Sequence, residues 1–337
     1  MLKQRAVVLV NLGTPEVPTA SAVRKFLKRF LSDPRVVEIP RPIWWMILHC
    51  FVLPLRCKRV AESYASIWME GGSPLKVITE RITSKLQQRF SDAVLHDTRA
   101  GETRVADIKV AYAMTYGEPS LTAVLDQFAK DGVEDFFILP LYPQYSATTT
   151  AAIYDQLAEY ITQRRNLPSL YCHKDYHDNP RYISALAESI ERHRQHNDAS
   201  DCLLFSFHGI PKVNVMKGDP YEQQCNKTAR LVAQHLGLND NEWKISFQSR
   251  FGRAEWLQPY TVDVLQRLGE DKTSVNVISP AFAADCLETL EEMNIENRHI
   301  YMEAGGKNFN YIPCLNDDAA HIETLFRIVT FNHESNT

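Results

Sequence analysis

Two α/β domains, each a parallel β-sheet flanked by helices, are what this sequence predicts, and three observations predict them. Short apolar runs alternate with longer amphipathic stretches along the whole chain, the pattern of parallel sheets covered on both faces. Runs such as Cys202-Leu203-Leu204-Phe205 are apolar on consecutive residues, as strands buried on both sides must be. The length of 337 residues exceeds what one ordinary core serves and suits two domains of about 150 residues each.

Taken in order, strands are expected at 5–12, 108–113, 135–141, 201–207, 243–249 and 274–278, where the apolar runs fall. The amphipathic stretches between them place helices at 20–31, 75–90, 119–130, 147–164, 180–196, 221–236 and 259–268. No long Gly/Ser or charged linker divides the chain. Residues 163–168 are polar and end in the helix-breaking Pro168, so a soft boundary falls there, with domains at 1–165 and 166–314. In parallel sheets, ligand-binding residues collect beyond the carboxyl ends of strands, which is where chemistry is sought.

Composition narrows the function classes. At 45% hydrophobic and 23% charged, with 13 Gly and 17 Pro, the chain has no disordered or low-complexity signature. Net charge is -4 and the basic residues are scattered, which argues against nucleic acid as a partner. The seven cysteines are odd in number and include no Cys-x-x-Cys pair, so neither a disulfide framework nor a zinc knuckle is expected, and a reducing compartment fits. Lys3 and Arg5 precede an apolar run too brief for a signal-peptide core, and a cytoplasmic protein is expected.

The segment from Pro42 to Leu55 is apolar nearly all round, yet a spanning helix needs about 20 such residues. Arg41, Arg56, Lys58 and Arg59 flank it. A Trp-rich apolar stretch beside basic residues docks at a membrane interface; a buried helix gives the same pattern. Both readings stand at this level, the first making the protein peripheral on the inner face of the membrane.

Nucleotide sites are excluded early. Asn11-Leu12-Gly13-Thr14-Pro15 after the first strand is neither Gly-x-Gly-x-x-Gly nor a Walker loop, and His-Glu-x-x-His and Gly-x-Ser-x-Gly are absent. Three constellations remain. His208 ends a buried strand before Gly209-Ile210-Pro211; a neutral imidazole there accepts a proton or ligates Fe²⁺, although strand-end histidines also serve as hydrogen-bonded structure. Asp285, Glu288, Glu291 and Glu292 lie on an expected helix starting near Ala283, with 285, 288 and 292 on one face. Such a ridge hands on a divalent cation or protons, or simply complements the helix dipole. Leu139-Pro140-Leu141-Tyr142-Pro143-Gln144-Tyr145-Ser146 is a strand end running into an aromatic loop, suited to a planar apolar ligand or to a plain proline turn with a hydroxyl cap.

Leu204-Phe205-Ser206-Phe207-His208-Gly209-Ile210-Pro211, followed by Gly218-Asp219-Pro220-Tyr221, resembles the ferrochelatase signature. Asn11 to Pro15, Gly72-Ser73-Pro74-Leu75, Tyr142 to Ser146, Gln248-Ser249-Arg250-Phe251-Gly252 and Asp285 to Glu292 are also similar to blocks of that family, in the family's order. The resemblance implies two Rossmann-like, chelatase-like domains with a porphyrin cleft between them, and a C-terminal helix at about 315–332 returning to the first. It implies insertion of ferrous iron into protoporphyrin IX to form protohaem, the terminal step of haem biosynthesis, by a metal-porphyrin lyase. The implied catalytic pair is His208 and Glu288; the implied metal contacts are His208, Glu288, Glu292 and Asp285; the implied porphyrin contacts are Leu12, Tyr142, Gln144, Tyr145 and Ser146. Fe²⁺ enters as substrate rather than as a resident cofactor.

Two departures qualify the match. Cys286 stands where many relatives carry histidine, and the C-terminal cysteine cluster of animal members is missing, so no iron-sulfur cluster is expected. Imidazole and carboxylate do not by themselves select iron, so a related chelatase for cobalt or for another tetrapyrrole such as coproporphyrin is the alternative enzyme. A non-catalytic porphyrin or haem carrier is the alternative of another class.

Overall fold

A computed structural model describes residues 5–99, 108–197 and 200–334; Lys3 lies outside them. Strands β1 (Arg5–Asn11), β2 (Ile108–Met114), β3 (Asp135–Pro140) and β4 (Ser169–Cys172) form one sheet in the order β2-β1-β3-β4. Strands β5 (Cys202–His208), β6 (Trp243–Gln248), β7 (Val275–Ile278) and β8 (Phe309–Ile312) form a second in the order β6-β5-β7-β8. Every neighbouring pair is parallel. The two sheets share one winding: the strand that comes first in sequence lies between the second and the third, and the fourth is at the edge. Strand order therefore reverses beside β1 in one sheet and beside β5 in the other, and a doubly wound sheet binds ligands at such a reversal, beyond the carboxyl ends.

Burial explains why these runs are strands. Ala6 to Asn11 of β1 and Cys202 to Phe207 of β5 are buried on successive residues, because helices cover both faces of each sheet. The two edge strands that periodicity does not mark, β4 and β8, have four residues each. The equally short β7 is legible because all four of its residues are buried, whereas β4 alternates exposed and half-buried residues and β8 includes the half-buried Asn310.

The chain divides into two compact units. One comprises residues 1–141, 147–174 and 317–337, with the first sheet; the other comprises 142–146 and 175–316, with the second. The expected boundary at 165/166 would cut β4 away from β3, to which it is hydrogen-bonded from Asp135↔Ser169 to Ile138↔Cys172. The final helix, Ala319–Glu334, packs in the first unit on the helix Pro74–Arg99. There the rings of Phe90 and Phe326 lie 4.8 Å apart, and Arg89 Nε sits 2.8 Å from Glu323 Oε2.

The segment 42–55 is helical and two-sided. Arg41–Ile47 is α-helical, Leu48–Val52 continues as one π-helical turn, and Leu53–Ser66 is α-helical again. Trp44, Leu48, Val52 and Leu53 are buried, and Trp44 donates its indole N–H to the Leu31 carbonyl. Ile43, Trp45, Met46, Phe51 and Leu55 are exposed. Among the described residues no helix is long and apolar enough to cross a membrane.

Candidate functional site

In the second unit, chemistry-bearing residues gather beyond the ends of β5, β6 and β7. His208 closes β5 opposite Gln248 of β6 and is half-buried. Its Nδ1–H donates to the carbonyl oxygen of Gly209 at 2.6 Å. A carbonyl only accepts, so Nδ1 carries a proton, and the tautomer this bond selects has its lone pair on Nε2. The rings of Trp256 and Phe282 lie 6.4 and 6.3 Å from the imidazole. Position 209 must be glycine: a Cβ there would fall 2.9 Å from the Gln248 carbonyl oxygen and 3.1 Å from Trp256.

The acidic helix differs from the regular α-helix that spacing predicts. Glu288–Asn297 is π-helical before Arg298–Glu303 returns to α-helix, and π-helical turns are frequent at functional sites. Glu288 and Glu292 lie on it; Asp285 stands before it. The carboxyl of Glu292 accepts from the backbone N–H of Ser249 at 2.8 Å and from its hydroxyl at 2.6 Å. Burial pushes this carboxyl up to about 7, against the pull of those two hydrogen bonds and with a further push from Glu288. It is therefore balanced between its two protonation states at neutral pH.

Asp285 is occupied otherwise. It is 4% exposed, and Tyr311 and Thr289 hydroxyls donate to Oδ1 at 2.6 and 3.0 Å while the Asn316 amide donates to Oδ2 at 2.7 Å. Through these bonds the side chain of Asp285 ties the helix entrance to the segment after β8. The adjacent Cys286 thiol is pushed well above its usual range by burial and by Glu288, which keeps it protonated and a poor ligand.

The loop after β3 belongs to the second unit because its polar groups are held there. Gln144 Nε2 donates to Thr228 Oγ1 at 3.0 Å, the Tyr145 N–H to Gln224 Oε1 at 2.6 Å, and Ser146 Oγ to Asp219 Oδ2 at 2.9 Å. Gln144 and Ser146 are buried and serve the loop; Tyr142 and Tyr145 are half-buried. Sequence reading places the loop correctly at a strand end but does not see Gln224, Thr228 and Asp219, of which only Asp219 lies in a recognised block. In the first unit, Leu12 follows β1 and packs against Phe26, Tyr116 and Ala152.

One more group has metal-ligand chemistry among the described residues: Asp175, His177 and Asp178. It is closed from within. His177 Nδ1 lies 2.9 Å from Asp175 Oδ1, Gln224 donates to Asp175 Oδ2 at 3.2 Å, and the Lys227 ammonium lies 2.5 Å from Asp178 Oδ2, where a cation would bind.

Known proteins resemble this chain over nearly its whole length. The family model described as Ferrochelatase matches residues 4–333. The ferrochelatase of Janthinobacterium sp. (strain Marseille) is 53% identical over 96% of this chain and 85% of its own length. That of Psychrobacter sp. (strain PRwf-1) is 53% identical over 95% and 92%, and that of Acinetobacter baumannii (strain ACICU) 49% identical over 98% and 95%. Among solved structures, SirB from Bacillus subtilis with Fe³⁺ superposes with a TM-score of 0.55 at 10% identity, over 97% of this chain and 94% of that one. At that identity the likeness concerns the fold alone.

Proposed function

The chain belongs to the ferrochelatase family and inserts iron into a porphyrin for haem synthesis, and on that premise we propose that His208 and Glu288 divide the proton and metal handling while Glu292 relays. Metallation exchanges two pyrrole protons for one Fe²⁺ at the centre of a stiff ring whose nitrogens point inward, so the ring must bend. A site that binds the bent ring better than the flat one lowers the barrier. The observation that carries the residue assignment is the bond from His208 Nδ1–H to Gly209. It leaves Nε2 as the atom that takes a pyrrole proton or touches the metal, and the same carbonyl stabilises the imidazolium once formed. Glu288 supplies the complementary negative charge one helical turn before Glu292, whose balance near neutrality suits it to receive and release a proton. Asp285, named with them by the resemblance as a metal contact, serves as their anchor in this reading. Trp256 and Phe282 supply flat apolar contact near the imidazole, and Leu12, Tyr142 and Tyr145 are the further porphyrin contacts; Gln144 and Ser146 act by holding the loop.

The test is anaerobic supply of Fe²⁺ with the porphyrin bound, followed by absorbance. Conversion to the metalloporphyrin supports the assignment when His208→Ala abolishes it; a porphyrin that stays metal-free makes the protein a carrier.

The substrate reading is protoporphyrin IX met at a membrane. Protoporphyrin has two propionates and is poorly soluble, whereas coproporphyrin has four. Support comes from Ile43, Trp45, Met46, Phe51 and Leu55, an exposed apolar face, with the exposed Arg41, Arg56, Lys58 and Arg59 beside it. Each basic residue adds about 1 kcal/mol of attraction to an anionic leaflet. Measuring kcat/KM for the two porphyrins with and without anionic vesicles tests it; a preference for coproporphyrin unaffected by vesicles would overturn it.

A further inference from the structure

We propose that Gln248 and Ser249, the last residue of β6 and the one after it, are positioning residues that set the acidic helix in place for iron. The inference rests on the reading that Glu288 and Glu292 act in metallation. Gln248 is buried, and both ends of its amide are committed. Nε2 donates to the Glu288 backbone carbonyl at 2.8 Å, and Oε1 accepts from the Ser206 hydroxyl at 2.9 Å. Ser206 lies in β5 two residues before His208, on the same face of the strand. Its hydroxyl also meets Thr261 Oγ1 at 2.9 Å, and Thr261 in turn donates to Ser246 of β6 at 2.9 Å. A run of hydrogen bonds therefore joins the strand that ends in His208 to the backbone of Glu288, through one amide that holds both.

Ser249 makes the second grip. Its φ of +65° puts it in the left-handed region, which a non-glycine residue occupies at a cost of about 1–3 kcal/mol. That conformation aims its N–H and its hydroxyl at the two different oxygens of Glu292, at 2.8 and 2.6 Å. Two donors on two oxygens fix the plane of the carboxylate as well as its place. The two neighbouring residues thus hold the helix at its backbone beside Glu288 and at the side chain of Glu292. Strain kept where glycine would relieve it, and spent on aligning a carboxylate, is the mark of a functional constraint.

Ser249→Gly tests this, since glycine suits the backbone, keeps the N–H and removes only the hydroxyl. The expected variant melts at or above the wild-type temperature and binds porphyrin, followed by fluorescence, within twofold of wild type. Its kcat/KM for Fe²⁺ falls about tenfold, the effect of one hydrogen bond to a charged group. In the double variant with Glu292→Gln the loss is no larger than with Glu292→Gln alone, because Ser249 acts through that carboxylate. Gln248→Met is expected to lose kcat with porphyrin affinity kept; should it fail to fold, Ser249→Gly decides. Two results overturn the proposal: wild-type kcat/KM in Ser249→Gly while Glu292→Gln is impaired, or a loss that comes with a lower melting temperature and weaker porphyrin binding. A Glu292→Gln variant as active as wild type defeats the underlying reading of the acidic helix, and the proposal falls with it.

Discussion

Trp44 and Trp45 are adjacent in the chain and opposite in the fold: the first is 4% exposed with its indole N–H bound to Leu31, the second is 62% exposed. The segment 42–55 is therefore neither wholly core nor wholly a surface insertion. Its two faces separate the two readings residue by residue.

Trp45→Glu is expected to weaken binding to anionic vesicles and to leave the melting temperature within a few degrees of wild type. Trp44→Ala is expected to destabilise the first unit by about 3–5 kcal/mol, the cost of emptying a large core position. Co-sedimentation with vesicles and thermal melts separate them. Equal vesicle binding by wild type and Trp45→Glu would remove this face from any membrane contact.

His208→Ala should abolish iron insertion, with a loss of about 10²–10⁴ in kcat, the usual worth of a positioned proton-transfer group. Porphyrin affinity should hold within a few-fold, because the surrounding rings of Trp256 and Phe282 remain. Fluorescence titration alongside the metallation assay reads both quantities.

Glu292→Gln should become more stable than wild type as pH rises. The folded carboxyl titrates near 7 and the free one near 4.5, so the folded state keeps a proton that the unfolded chain releases between those values. Stability due to this group is then highest below about pH 4.5 and declines until pH passes about 7. Removing the charge cancels that decline, by at most on the order of 3 kcal/mol. Melts at pH 5 and pH 8 should show a variant advantage only at the higher pH; an advantage independent of pH would mean the carboxyl is not raised.

Asp285→Ala should lower stability by about 3 kcal/mol or more, since it leaves the donors of Tyr311, Thr289 and Asn316 without their buried acceptor. Were Asp285 instead held for iron alone, deleting its charge would leave the melting temperature unchanged or raise it. Asp285→Asn, which keeps one acceptor oxygen, should fall between.

Anaerobically purified protein is expected to hold no acid-labile sulfide. Six of the seven cysteines, Cys57, Cys172, Cys202, Cys225, Cys286 and Cys314, have thiols raised by burial and so kept from the thiolate form that ligates iron. Stoichiometric sulfide in the preparation would contradict this.

The sequence by itself determined the parallel α/β class, six of the strands, the strand-end address of His208 and the order of the family's blocks. Those signals are local: consecutive apolar residues mark a strand covered on both sides, and a histidine before Gly209 marks a turn with room beside it. Only the tertiary structure decided which ring nitrogen of His208 is bonded, because the bond to Gly209 is a matter of ring orientation. It alone decided that Asp285 anchors while Glu292 stands near its titration point, since burial and partners from Ser249 and Tyr311 are contributed by segments 26–43 residues away in sequence. The π-helical turns, the membership of residues 142–146 in the second unit, and the split between Trp44 and Trp45 have the same cause. Each depends on what packs against a residue from elsewhere in the chain, and spacing along the chain carries no record of that neighbour.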